Sequence, residues 1–281
     1  MTGPAARRLT VCVVHPDLLG TYGDGGNGVV LARRAAWRGI DVDLVQAPSD
    51  RPLPEADIYT IGGGEDGPQV RAATTLAEEG TLTRRVAEGA VVLAVCAGFQ
   101  LVGRSFPDAS DRAQEGLGLL DLTTRKGTGP RAVGELVAVP VHDAPRSAWG
   151  DPLPRLTGFE NHGGVTTLGP GTRPLATVVH GVGNGGGDGT VGAWAGRVLG
   201  TYLHGPVLAR NTAVADLLLG WALAPADAPA GTVAELEPLD DFEELALRAE
   251  RLEAVDTPPV DGWRGALRRV RTARAGTGVG R

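Results

Sequence analysis

The feature that most constrains this chain is an alternation. From residue 9 to residue 106, short apolar runs take turns with segments of helical periodicity. "LTVCVV" (9–14), "VDLV" (42–45), "DIYTI" (57–61) and "AVVLAV" (90–95) read as strands, the first and last fully buried. Between them, "NGVVLARRAAWRG" (27–39) and "QVRAATTLAEEG" (69–80) space their apolar residues as helices do and stop at glycine. "AGFQLVGRSF" (97–106) begins a further short helix. Strands and helices in turn imply βαβ units around a parallel sheet. The expected fold class is therefore α/β, with an open, mostly parallel central sheet flanked by helices.

From residue 131 onwards the pattern changes. "RAVGELVAVPV" (131–141), "RLTGFEN" (155–161), "PLATVV" (174–179), "TVGAWAG" (190–196) and "RVLGTYLHG" (197–205) read as additional, antiparallel strands joined by glycine-rich turns. "VGNGGGDGT" (182–190) reads as a flexible turn; it lacks a phosphate-loop lysine and leads into no helix, which excludes nucleotide binding there. "NTAVADLLLGWAL" (211–223) is a core helix with Asn211 as its expected cap. The composition then shifts. One domain is expected over 7–224, and an appendage over 225–281: a Pro/Ala/Gly linker, the amphipathic helix "LDDFEELALRAERLEAV" (239–255) with its acidic start, and a basic, glycine-spaced tail.

Composition excludes several classes. A net charge of −6 argues against general nucleic-acid binding, which needs a basic footprint. No apolar run approaches the roughly 18 to 20 residues of a membrane span, and "MTGPAARRLT" is not followed by the apolar core of a signal peptide. Two cysteines are no disulfide framework for 281 residues. Together these point to a cytoplasmic protein with reduced thiols.

The position of one of those thiols raises a chemical question. Cys12 lies inside a strand and reads as a small buried hydrophobe. Cys96 stands at the tip of a strand-to-helix turn, in the frame Ala94-Val95-Cys96-Ala97-Gly98, the small-x-nucleophile-x-small pattern of a nucleophile elbow. Such a turn presents the sulfur at the carboxyl end of the sheet, where open α/β folds build sites. It sets the thiol at a helix N-terminus, which favours thiolate, and aims the Ala97 N–H at an oxyanion. A nucleophile of this kind needs a base. His204 ends the apolar run "VLGTYL" and is favoured because it too stands at a strand end; His162 in "FENHGG" is its rival, and His15 could line the same rim. The run "IYTIGGGEDGPQ" (58–69) brings three glycines to a third strand end, where Gly63 and Gly64 could supply further oxyanion N–H groups.

"VCAGFQLVG", the glycine-rich strand end upstream of it and "GTYLHGP" together resemble the class I glutamine amidotransferases, and His204-Gly205-Pro206 is closest to their cobyric-acid-synthase-like branch. Within that branch, "YGDGGNGVVLARRAAWRGIDV" (22–42), "GGGEDGPQ" (62–69), "GFENHGG" (158–164) and "TYLHGPVLARN" (201–211) resemble the glutaminase-subunit family of lipid II isoglutaminyl synthase, whose partner is the Mur-ligase-like subunit MurT. The resemblance covers roughly residues 9 to 223. It implies that Cys96 attacks the side-chain amide of L-glutamine and that His204 acts as base. It implies that Arg131, rather than nearby Arg125, binds the substrate. Ammonia would pass to the partner for amidation of lipid II. No cofactor is implied in this chain; ATP and Mg are expected on the partner. Three features depart from the family pattern. Pro206 stands where many class I enzymes have Glu, which leaves the acid behind His204 to come from elsewhere in the chain, from water or from the partner. Val165 stands where an arginine is expected after "GFENHGG", and Ala97 replaces a more usual glycine while keeping its N–H. Alternatives are an amidotransferase for another acceptor such as a cobyrinate, a stand-alone thiol hydrolase, and a non-catalytic binding subunit.

Overall fold

The structure is a computed structural model that describes residues 8–225, 228–229 and 231–255. The first half alternates as the sequence suggests: β1 (Leu9–Val14), α1 (Gly26–Ala36), β2 (Val42–Ala47), β3 (Ile58–Ile61), α2 (Asp66–Glu79), α3 (Thr81–Ala87), β4 (Val91–Val95) and α4 (Ala97–Leu101). The second half adds β5 (Ser105–Pro107), β6 (Ala113–Glu115), β7 (Leu122–Lys126), β8 (Ala132–Pro140), β9 (Leu156–His162), β10 (Gly164–Leu168), β11 (Arg173–His180), β12 (Thr190–Ala195) and β13 (Val198–Thr201), then α5 (Val207–Arg210), α6 (Thr212–Leu223) and α7 (Phe242–Ala254).

Nine of the strands form one mixed sheet in the order β2-β1-β3-β4-β13-β12-β11-β8-β9. From β2 across to β13 every neighbouring pair is parallel. From β13 out to β9 every pair is antiparallel. The parallel half carries the crossover helices, and its inner strands β3, β4 and β13 are buried at every residue. That explains why they read as unbroken apolar runs rather than as alternating ones. Because β13 lies parallel beside β4, with Thr201 opposite Val95, the two strands end at the same rim of the sheet. Gly200 lets this happen: a Cβ there would lie 2.1 Å from Cδ2 of Phe99 on α4.

The short helix expected to begin at residue 97 is α4, which ends at Leu101; β5 begins at Ser105 in a second, four-stranded sheet of order β10-β7-β5-β6. Two local expectations are corrected. Asn211 does precede α6, but its side chain does not cap that helix. Its Oδ1 accepts from Thr157 N–H at 3.0 Å and its Nδ2 donates to the carbonyls of Thr157 and Val207 at 2.8 Å, which splices α6 to β9. The run 182–190 is pinned rather than loose. Asn184 is fully buried, its Nδ2 donates to Thr190 and Gly192, and Glu160 accepts the N–H groups of Val182 and Gly183.

The expected C-terminal amphipathic helix is α7. Asp241, just ahead of it, pairs with buried Arg34 of α1 at 2.6 Å, and Arg34 also pairs with buried Asp216 of α6 at 2.7 Å. The basic end of the sequence lies outside the described residues. Among the described residues no helix is long and apolar enough to cross a membrane.

Candidate active site

The site begins with the backbone at Cys96. Its φ of 52° and ψ of −107° fall where residues with a Cβ rarely go. Such conformations cost of order 1–3 kcal/mol and persist only when the surroundings over-determine them. Here they do. The Cys96 N–H donates to Thr201 O at 2.9 Å, the Cys96 carbonyl accepts from Gln100 N–H at 3.0 Å, and the Gly98 N–H donates to Gly62 O at 3.1 Å. Glycine is needed at 98, since a Cβ there would meet Ile61 O at 2.6 Å. The result is a residue 7% exposed that lines a polar cavity together with Gly64, Ala97, Gln100, Arg131 and His162. Cys12 differs in every respect: it lies in mid-strand, and burial, with Glu79 adding to it, pushes its thiol pKa up to about 12.

His204 follows the end of β13 and is completely buried. Its main chain is fixed against Phe159, with N–H donated at 2.7 Å and carbonyl accepting at 3.2 Å. Its Nδ1 lies 2.9 Å from Oδ2 of Asp24, a carboxylate 1% exposed. The same Oδ2 accepts the Gly63 N–H at 2.9 Å. The acid that Pro206 cannot provide is thus a residue of this chain, 180 positions away in sequence. Nε2 has no hydrogen-bond partner among the described residues. Burial, the largest influence on the ring, favours the neutral form. The Asp24 hydrogen bond and the adjoining Cys96 outweigh it and raise the pKa from 6.5 to about 9. The imidazole therefore holds its second proton beside the thiol at neutral pH.

Gly63 closes the arrangement. A Cβ there would lie 2.8 Å from His204 Cε1, 3.2 Å from Asp24 Oδ2 and 3.5 Å from Cys96 Cβ, so thiol, imidazole and carboxylate all crowd against one glycine. This corrects its expected role. The Gly63 N–H is committed to Asp24 rather than free for an oxyanion. Gly64 and Ala97 line the cavity, and Ala97, first residue of α4, has no acceptor within its own helix.

The remaining sequence candidates separate cleanly. Arg131 lines the cavity with Cys96, whereas Arg125 lies exposed on β7 and Lys126 takes the place beside it in the wall. His162 also lines the cavity, but its Nδ1 faces Gly164 O at 3.1 Å and its ring stacks on Tyr202 with centroids 3.7 Å apart, so it belongs to a buried polar layer rather than to the Asp24 line. His15 is buried beyond β1 near Asp17, Glu79 and Arg71, outside the cavity. Asp24 could have been found by the rule that singled out Cys96. "TYGDGGNG" follows the carboxyl end of β1, and in open α/β sheets that rim is where sites assemble.

Residues 10–212 match the family model of the CobB/CobQ-like glutamine amidotransferase domain. The chain belongs to the CobB/CobQ-like glutamine amidotransferases. It is 36% identical over 214 residues to the lipid II isoglutaminyl synthase (glutamine-hydrolyzing) subunit GatD of Staphylococcus aureus (strain N315), covering 75% of this chain and 83% of that protein. It is 35% identical over 219 residues to the subunit of the same name from Streptococcus pneumoniae (strain ATCC BAA-255 / R6), covering 77% and 81%. Against the cobyric acid synthase of Pelotomaculum thermopropionicum the identity is 36% over 165 residues, which is 54% of this chain but only 29% of that protein. A solved structure described as a glutamine amidotransferase shares the fold, with a TM-score of 0.52 at 21% identity over 75% of this chain and 98% of its own. In a CobB/CobQ-like glutamine amidotransferase, a strained thiol beside a charged, carboxylate-backed imidazole is equipped for acyl transfer.

Proposed function

We propose that this chain is the glutamine-hydrolysing subunit of a lipid II isoglutaminyl synthase. The observation that carries the chemistry is the 2.9 Å bond from His204 Nδ1 to Asp24, made where both residues and Cys96 crowd against Gly63. The choice of acceptor rests on the two GatD relatives, which this chain matches over more than four-fifths of their length. In this reading the Cys96 thiolate attacks the side-chain carbonyl of L-glutamine, and the oxyanion is met by the N–H groups of Ala97 and Gly64. His204 gives its Nε2 proton to the departing nitrogen, so that ammonia leaves and a glutamyl thioester remains. The now neutral imidazole takes a proton from water, the hydroxide attacks the thioester and expels the Cys96 thiolate, and the new carboxyl group loses its proton to give glutamate. Arg131 holds the α-carboxylate of the substrate. The ammonia passes to a Mur-ligase-type partner of the MurT kind. That partner, with ATP and Mg, amidates the α-carboxyl of D-glutamate in lipid II to give D-isoglutamine.

A cobyrinate acceptor is the second reading; it has the weaker support of relatives matched over about a third of their length. Co-purification of the chain with a Mur-ligase-type partner decides between them. Glutamine, ATP and Mg should give glutamate and amidated lipid II, and Cys96→Ala should abolish both while free ammonium still supports amidation. Unchanged lipid II beside an amidated cobyrinate would overturn the acceptor. Full glutamine hydrolysis by Cys96→Ala would overturn the chemistry.

A further inference from the structure

Beside the cavity one residue, Asn161, touches Arg131, Tyr22 and Cys96. Asn161 is the penultimate residue of β9 and pairs with Val133 of β8, two residues after Arg131. The Arg131 guanidinium donates from Nε to Asn161 Oδ1 and from Nη2 to the Asn161 carbonyl at 3.0 Å. The Asn161 Nδ2 donates to the Tyr22 hydroxyl. The same main-chain carbonyl lies 4.0 Å from Cys96 Sγ. Tyr22 sets its ring edge-on to His204, with centroids 5.0 Å apart, and stands two residues before Asp24. It does so at a φ of 62°, a left-handed conformation that a tyrosine rarely adopts.

Arg131 is itself exposed and precedes its strand, so nothing in its own backbone fixes where the guanidinium points. Asn161 occupies Nε and one N–H of Nη2. That leaves Nη1 and the outer N–H of Nη2, the end-on pair that grips a carboxylate with two parallel bonds. We infer that Asn161 is a positioning residue that aims Arg131 at the α-carboxylate of the substrate and is itself held by Tyr22. The selectivity of the pocket for an α-carboxylate then depends on a residue that need not touch that carboxylate.

The inference rests on the reading of Arg131 given above, and the test keeps the two apart. Steady-state kinetics are measured with L-glutamine and with its α-amide, glutaminamide, used as substrate or as competitor. For Asn161→Ala, KM for glutamine should rise about tenfold or more with kcat within about threefold, the mark of lost uniform binding. Its constants for glutaminamide should stay within about threefold of the wild type. Tyr22→Phe keeps the ring and removes only the hydroxyl, so it should give a smaller rise in the same direction. An equal loss on both compounds in Asn161→Ala, while Arg131→Ala remains selective for the carboxylate, would overturn the role of Asn161 alone. Equal losses on both compounds in Arg131→Ala would overturn the reading of Arg131 and this inference with it.

Discussion

A buried imidazole normally loses its charge, yet His204 keeps it because the Asp24 carboxylate, buried with it at 2.9 Å, and the adjoining Cys96 together outweigh desolvation. The sign of the pH dependence follows. His204 is raised from 6.5 to about 9, so the proton that the proposed mechanism gives to departing ammonia is present at neutral pH and is lost as pH rises through about 9. A pH profile of kcat/KM for glutamine should show its alkaline limb near that value. Asp24→Asn keeps the shape but removes the charge; only Cys96 is then left to oppose burial, and the limb should move down from about 9. The fall in kcat at neutral pH should be on the order of 10²–10⁴. A Asp24→Asn profile that overlays the wild type would refute the pairing. The same shift contributes to stability. The contribution is fully present below 6.5 and lost as pH rises through about 9, so the gap in Tm between wild type and Asp24→Asn should be widest in mild acid and close on the alkaline side.

At the scale of elements, the site is a meeting of strand ends, and glycines set how closely they meet. Gly63→Ala would drive a methyl against His204 Cε1 at 2.8 Å in a fully buried space. We expect kcat to fall more than about tenfold, from a displaced base, with Tm changed by only a few degrees; normal kcat would show that the ring has room to give. The elements also show what was readable beforehand. The turn at Cys96 is a local event: small residues, a buried strand and a helix start are contiguous, so its geometry could be anticipated from 14 letters (90–103). The bond from His204 to Asp24 joins positions 180 apart; the strand-end rule brings each residue to the same rim, but nothing in the sequence pairs the two. The second sheet escaped for another reason. β5 and β6 have three residues each, and β6 exposes two of its three, so neither shows an apolar alternation. Asn211 and the glycines of 182–190 were read by residue type, as a cap and as a flexible turn, and tertiary hydrogen bonds overrode both habits.

For the molecule as a whole, α1 is the lever between the site and a distant clamp. Its first residue, Gly26, comes two after Asp24, and Gly28 seats it so closely on β1 that a Cβ would lie 2.6 Å from Val13 Cγ2. Two turns further on, Arg34 is 2% exposed and forked onto Asp216 of α6 by Nε at 2.8 Å and Nη2 at 2.7 Å, while Arg38 reaches the same carboxylate at 2.9 Å. Asp241, at the start of α7, completes the cluster from the one side with some solvent access. Removing a buried partner costs more than the pair contributes, because a charge is left in the core without compensation. Asp216→Ala should therefore destabilise by about 3–5 kcal/mol. At about 2–4 °C per kcal/mol for a domain of this size, Tm should fall by roughly 6–20 °C. Asp241→Ala leaves the Asp216 fork intact and should cost only a few degrees. If α1 does carry the clamp to the site, thermal loss of glutamine hydrolysis in Asp216→Ala should shift down together with the unfolding transition, with KM near normal well below it. An unchanged Tm, or activity that survives past the new transition, would mean that the loop bearing Asp24 is held without the clamp.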